Sequence, residues 1–447
     1  KEYADFVALF KQASKIKNIK FENVTIEGDF TGHNDTLNIG LVGSLFGEGI
    51  ISDVEINGLN INVVVGSQEE IPTEINLGGL LAESGGTVQN IQIKQSDFSI
   101  NLENGYIYAG GIVGGGSAGT TIQNAYFEGD IDITAARTLS EKFINKIYCG
   151  GIASVAKLNE CMNSGNINIL ANNAMVIAGG VVGSNEVGTS ASQLANSGNL
   201  DIERRIFSDA DGGSASMSAF SVGGLVGIVS GREDIDSAPC LRDSYNAGDI
   251  SINIYSDWFG YNKIGNVGNI FGEMNQYYGV ENCYNAGKIS ASRYTENEEF
   301  EKDNIVGEAT GQLLGYSDLD DLGEIINNFY YFSTYPIIGA VFGGNYNGSL
   351  GNSKYLNSDQ NISQQSYAGF DFESIWKMGS EVYPYPIFQW QNEDSDLPDI
   401  EEPDETIGNF GWGELDNGQI GYYDENGDLL KNGRYKLYFL KKDNSFF

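Results

Sequence analysis

Gly223-Gly224-Leu225-Val226-Gly227 and, further on, Leu241-Arg242-Asp243-Ser244-Tyr245-Asn246-Ala247-Gly248-Asp249-Ile250-Ser251-Ile252 are the two halves of a unit that returns along most of this chain. The first half recurs as Gly40-Leu41-Val42-Gly43, Gly78-Gly79-Leu80-Leu81, Gly110-Gly111-Ile112-Val113-Gly114, Gly150-Gly151-Ile152-Ala153 and Gly179-Gly180-Val181-Val182-Gly183. It fades into Gly268-Asn269-Ile270-Phe271-Gly272 and Gly311-Gln312-Leu313-Leu314-Gly315. Matched positions lie 29 to 45 residues apart, the period of a stacked array. The second half recurs around Asn163-Ser164-Gly165, Asn196-Ser197-Gly198 and Asn285-Ala286-Gly287, with earlier copies over 51–63 and 122–133. Alternating apolar residues mark half-buried strands, and Asn-x-Gly supplies residues that tolerate a positive φ at a corner. One repeat therefore reads as three short strands with two corners, one coil of a β-solenoid. A lone coil can neither bury its apolar face nor pair its strand edges; stacking does both.

Composition narrows the function. With 61 acidic and 25 basic residues the net charge is −36, which excludes the clustered Lys and Arg that a phosphate backbone demands. No stretch of 18 apolar residues is present to span a membrane. No signal peptide precedes Lys1, which reads as a mature or excised fragment. Cys161 and Cys283 occupy the same place in their repeats, directly before Met162-Asn163 and Tyr284-Asn285, and read as buried thiols in a core column. Three repeats separate them, too far for a disulfide, while a Cys149–Cys161 bond within one coil stays open. No C-x-x-C spacing suggests zinc.

Five segments follow along the chain. Residues 1–20 carry Phe6, Val7, Leu9, Phe10, Ala13 and Ile16 at helical spacing, which predicts an amphipathic helix capping the open end of the solenoid. The β-helix spans 21–332, with insertions at about 66–76, 134–147, 204–220, 229–239, 253–266 and 291–306, where solenoids tend to bind. Residues 333–390, with Phe370, Phe372, Trp376, Tyr383-Pro384-Tyr385-Pro386 and Trp390, read as the C-terminal cap. Residues 391–407 hold eight Asp or Glu, two Pro and no basic residue, an extended linker. Residues 408–447, with Asn417-Gly418 and Asn432-Gly433, read as a small β-hairpin unit.

The Gly-Gly-Leu-Val-Gly block followed by Asn-(Ser/Ala)-Gly and alternating Ile resembles the GLUG repeat of large secreted or surface-attached bacterial proteins, adhesin-like proteins and non-catalytic regions of some immunoglobulin-A-cleaving peptidases among them. That resemblance covers about residues 1–390 and implies a right-handed parallel β-helix. The tail, Gly411-Trp412, Gly421-Tyr422-Tyr423-Asp424 and Asn426-Gly427, resembles a choline-binding-type cell-wall repeat, in which aromatics of consecutive hairpins cage a choline. Only one clear copy is present, so Trp412, Tyr422 and Tyr423 support a cell-wall location more than a ligand.

Catalytic signals are sparse. His33 is the one histidine, so no His-Glu-x-x-His can exist, and no Gly-x-Ser-x-Gly elbow accompanies it. No P-loop or dinucleotide fingerprint is present, and no cofactor is expected. Carboxylate pairs of the kind glycosidases use are Asp130 with Asp132, Asp209 with Asp211, and Asp318 with Asp320 and Asp321. Among 61 acids such proximity arises by chance, and Asp130 matches Asn166, Asn199, Asp249 and Lys288 as a corner position. Oxygen-rich turns at 318–321 and 424–428 match no calcium loop and read as solvated. The strongest binding candidates are Tyr255, Trp258, Phe259 and Tyr261 in one insertion, near Tyr277 and Tyr278; the competing reading is that they pack the insertion onto the coil beneath. The expectation is a non-catalytic extracellular bacterial adhesin or stalk. It would bind a host glycan or extracellular-matrix protein through its insertions and the bacterial cell wall through its C-terminal region. The alternatives are a β-helical polysaccharide-cleaving enzyme, the accessory region of a larger secreted peptidase, or a spacer with no ligand of its own.

Overall fold

The computed structural model describes residues 6–391, apart from 32–35, 68–72, 84, 116–119, 137–143, 186–189, 207–219, 230–239, 257–264, 275–278, 295–309, 312–313, 318–324, 331–337, 342–350, 357–358 and 381–382, together with the strands Gly411–Glu414, Ile420–Tyr423 and Leu429–Gly433. Residues 6–355 form a parallel β-solenoid in which each coil hydrogen-bonds the next. Every coil contributes to three sheets. The glycine sheet holds pairs such as Met175–Gly179 and Val182–Asn185. The middle sheet holds strands such as Lys157–Asn163. The third holds Ile167–Asn172, Leu200–Ile206 and Ile250–Ser256. Early strands run through the corners, so Leu37–Gly66 covers a whole coil.

Alternation places one side of each strand inward, where register stacks like on like. Ile61, Phe98, Ile131, Ile167, Leu200, Ile250 and Ile289 form one such column. Val63, Ile100, Ile133, Ile169, Ile202 and Ile252 form the next, and all of these residues are buried.

The two sequence signatures meet inside the rod. Asn163, Asn196, Asn246 and Asn285 point inward and are fully buried. The Nδ2 of Asn163 donates to Asn196 Oδ1 at 2.9 Å, that of Asn196 to Asn246 Oδ1 at 2.8 Å, and that of Asn246 to Asn285 Oδ1 at 3.2 Å. Each also donates to the carbonyl two residues on, Gly165, Gly198, Gly248 or Gly287, at 2.8–2.9 Å, holding the corner closed. The glycine block lies against this ladder. A Cβ on Gly180 would come within 3.0 Å of both the Asn196 side chain and the Gly224 carbonyl of the next coil, and Gly224 stands in the same relation to Asn246 and Asn269. Glycine is required there by close approach, not by dihedral angle. In the preceding coils the asparagine position holds Ile56, Ile93 and Phe127, so the column begins apolar and turns polar at Asn163.

A second ladder bends the middle sheet. Asn18, Asp53, Asn90, Asn124, Glu160, Gln193, Asp243, Asn282 and Asn327 all adopt φ between 48° and 58° and fall at matching levels of successive coils. Asn and Asp tolerate this left-handed conformation better than other non-glycine residues. Amide-to-oxygen bonds link Asn90 to Asp53 at 2.7 Å, Asn124 to Asn90 at 3.0 Å and Asn327 to Asn282 at 3.0 Å.

The expected N-terminal helix is absent: Phe6–Thr31 is a strand, paired in parallel with Leu37–Gly66. Val7, Leu9 and Ile16 satisfy a strand's inward face as well as a helix's stripe, and the exposed edge of the next coil supplies a full ladder of hydrogen bonds that a helix could not use. In this strand Leu9 is 36 % exposed where its column mate Leu41 is 0 %. At the other end the ladder continues past residue 332, through Ile338–Val341 and Lys354–Tyr355. The tail strands Gly411–Glu414, Ile420–Tyr423 and Leu429–Gly433 form a small antiparallel sheet, as the hairpin reading predicts.

Asn246→Ala removes the acceptor of Asn196 and the donor to Gly248 in the buried interior; it also removes the donor to Asn285 Oδ1, which keeps its bond from Gly287 N. A loss of about 2–4 kcal/mol is expected for two stranded partners at ~1–3 kcal/mol each, against less than ~0.5 kcal/mol for an exposed control such as Ser290→Ala. Thermal unfolding of the two variants side by side checks this.

Candidate functional site

Over residues 105–294 coil lengths vary at two corners only, and both flank the glycine sheet. From the third sheet into the glycine sheet the chain needs two residues between Asn172 and Met175, but 13 between Ile206 and Phe220 and nine between Ser256 and Asn266. From the glycine sheet into the middle sheet it needs one residue between Val155 and Lys157, but ten between Val229 and Cys240. At the asparagine corner the spacing is constant in these coils, Asn163 to Ile167, Asn196 to Leu200, Asn246 to Ile250 and Asn285 to Ile289, whereas the earlier apolar version of the corner is one residue longer, Ile93 to Phe98 against Phe127 to Ile131. The buried ladder explains the constancy, since any insertion there would break the amide chain. Within these coils length variation is thus confined to the two edges of one face.

Outward residues of that face include an aromatic cluster that the sequence reading missed. Tyr108 and Tyr148, register partners on adjacent coils, stack with centroids 4.8 Å apart and 11° between planes. Beside them the Lys146 ammonium sits 4.4 Å from the centre of the Tyr106 ring. The signal was available in Tyr106-Ile107-Tyr108 and Lys146-Ile147-Tyr148, one repeat apart.

Of the predicted binding residues, Tyr255 is described: it ends the strand Ile250–Ser256, at the root of an insertion, and is 39 % exposed. One face of its ring stacks on Tyr294 at 4.7 Å and 16°; Arg205 of the preceding coil stands over it at 5.9 Å and is itself held by Glu203 at 2.5 Å. Partial burial, then the Glu203 charge, pushes the Tyr255 hydroxyl pKa up. The stack joins the roots of three consecutive insertions and leaves the ring edge and hydroxyl outward. Trp258, Phe259, Tyr261, Tyr277 and Tyr278 lie outside the described residues, as do His33, Asp209, Asp211, Asp318, Asp320 and Asp321. Trp412 and Tyr422 are cross-strand partners in the tail sheet, with Tyr423 opposite Gly411.

Asp130 is a corner residue: its Oδ1 accepts from Asn166 N at 3.2 Å and Nδ2 at 2.9 Å. The same side-chain-to-backbone bond repeats from Asn166 to Asn199, Asn199 to Asp249 and Asp249 to Lys288. Asp132 accepts from Asn168 Nδ2 at 2.7 Å. Cys149, Cys161 and Cys283 are buried free thiols; burial pushes Cys149 and Cys161 up to about 12, so neither forms a thiolate at neutral pH. Among the described residues no three His, Cys, Asp or Glu side chains gather to hold a metal, and no helix is long and apolar enough to cross a membrane.

The outer face of the middle sheet carries a different feature. One outward column runs Lys20, Glu55, Gln92, then Tyr126, Met162, Ala195, Tyr245, Tyr284, Phe329. It is polar in the first coils, where Lys20 pairs with Glu55 at 3.1 Å, and apolar afterwards. Residues 359–391 lie along the apolar part as a strap. Tyr367 packs edge-on to Phe329, Trp376 packs against both rings of the Tyr245–Tyr284 stack, and Phe388 packs on Tyr245. The Trp376 indole donates to Asp243 Oδ1 at 3.4 Å, and Asn282 Nδ2 donates to the same oxygen at 3.3 Å. Burial outweighs both bonds and pushes the Asp243 carboxyl up.

A raised carboxyl pKa means that the fold prefers the neutral acid. The group contributes most below its unfolded value, and that contribution is lost as pH rises through the folded one. Asp243→Asn keeps both accepted bonds without the charge. It should raise Tm at pH 7 and leave it unchanged at pH 3, measured by scanning calorimetry; an equal shift at both pH values would refute the buried-charge account.

No protein-family model matches the chain, and neither a curated protein nor a solved structure matches it.

Proposed function

We propose that this chain is a non-catalytic rod of a bacterial surface or secreted protein, an adhesin or stalk that binds a host glycan or matrix protein through the insertions bordering its glycine sheet. One observation carries the reading: over residues 105–294 length varies only along the two edges of that face, while buried amide ladders hold the remaining corners constant. A rigid scaffold with variable loops on one side suits recognition. The filled core, the protonated thiols and the use of Asp130 in a corner bond agree with a binding role. The Tyr106–Tyr108–Tyr148–Lys146 cluster and Tyr255 provide aromatic edges, hydroxyls and cations on or beside this face. The tail, with Trp412, Tyr422 and Tyr423, is assigned to the bacterial cell wall by its resemblance.

The test is a glycan and matrix-protein array probed with the whole chain and with two variants. In one, residues 257–264 are replaced by Asn-Ala, the turn that the chain itself uses at Asn173-Ala174. In the other, Tyr106, Tyr108 and Tyr148 become Ser. Binding by the whole chain that falls at least about tenfold in either variant, equivalent to ~1.4 kcal/mol, with circular dichroism unchanged, is the expected result. Cleavage of arrayed glycans would overturn the non-catalytic reading, and binding indifferent to both changes would overturn the location.

A further inference from the structure

The strap has a geometry that the binding role does not use. It leaves the last coil after Lys354–Tyr355, which pairs with Phe329 and Tyr330, and then runs back against the coil order. Tyr367 lies at Phe329, Trp376 at Tyr284 and Tyr245, and Trp390 and Gln391 reach coils far earlier in the chain. At its tip Trp390 Nε1 donates to Gln193 Oε1 at 2.8 Å, and Gln391 Nε2 donates to Tyr245 Oη at 2.7 Å and contacts Met162 Sδ at 2.9 Å. Gln391 therefore lies beside the coil of Met162, not beyond the last coil. Coil is joined to coil by continuous backbone ladders. The strap's own backbone bonds, such as Gln389 N to Ile375 O and Tyr367 N to Gln364 O, close within it, and its hold on the rod runs through side chains.

We propose that the strap is a tension-released latch: a pull on the chain beyond Gln391 peels it from the rod, tip first, before any coil unwinds. Load from the linker enters at Gln391 and reaches the last coil only through the strap. With the first coil held, the pull turns the tip back over the strap's own root, so contacts break one after another, Gln391 and Trp390 first, then Phe388, then Trp376. Coil-to-coil ladders must instead lose many backbone bonds for each coil released. Release bares the column Tyr126, Met162, Tyr245, Tyr284 and Phe329, an apolar strip that is covered while the strap is seated.

Optical tweezers test this on the whole chain, with handles at the N-terminus and at a bioorthogonal azide side chain replacing Ser395, so that residues 408–447 carry no load. The expected record is a reversible extension step of roughly 100 Å, the reach of some thirty residues at ~3.3–3.6 Å each, at a force below the first coil-unwinding event. Trp376→Ala should lower the force of that step and leave coil unwinding where it was. A disulfide between Met162→Cys and Gln391→Cys should abolish the step under oxidising conditions, with its return on reduction. A first event that survives the oxidised cross-link, or a first event whose length matches whole coils, would overturn the latch.

Discussion

The rod depends on one constraint: backbone from successive coils must pass within contact distance at the Gly-Gly bend, from Gly151 onward directly over a buried amide. At Gly180 the neighbours are the Gly224 carbonyl on one side and Asn196 on the other, and no side chain fits between them. Asn196 in turn spends its amide on Asn246 and on the Gly198 carbonyl. A buried amide with unmet hydrogen-bonding capacity is costly, so the ladder ties each coil to its neighbours in a single register. The isoleucine columns supply the bulk of the burial, but slipping by two residues would preserve their alternation. The asparagine and glycine pair does not tolerate that slip.

From this constraint follows the division of the surface. Corners built on amide ladders cannot change length, so variation is pushed to the two edges of the glycine sheet. The outward side of the middle sheet is not needed for stacking, and its side chains are free to serve something else. In the first coils they are Lys20 and Glu55, which pair with each other, and Gln92, which is buried. From Tyr126 onward they form the seat of the strap. The same backbone position thus changes chemistry along the rod according to what covers it.

The strap also illustrates a local compromise. Asp243 stands in a column otherwise rich in asparagine, beneath Trp376, where burial disfavours its charge. Its neighbours in the column, Asn282 and Asn327, make similar bonds without that cost. Among the described residues Asp243 is the one buried acid, and a net charge of −36 favours repulsion between rods.

Sequence by itself determined the solenoid, the coil boundaries, the inward columns and the corner role of Asp130, because each is a repeated local pattern and stacking multiplies any local preference. It did not determine the N-terminal element. The spacing of Phe6, Val7, Leu9 and Phe10 suits a helix and a strand alike, and the unpaired edge of the next coil decides for the strand. The left-handed ladder was hidden because its members, Asn90, Asn124, Glu160, Gln193 and Asp243, share a conformation more than a residue type. The strap was legible as an aromatic segment, but its path was not. Trp376 and Asp243 are 133 residues apart, and Trp390 and Gln193 are 197 apart. Only the folded rod brings the outward tyrosines of separate coils into one continuous strip, and only such a strip offers enough apolar area to hold a segment that has no backbone ladder of its own with the coils.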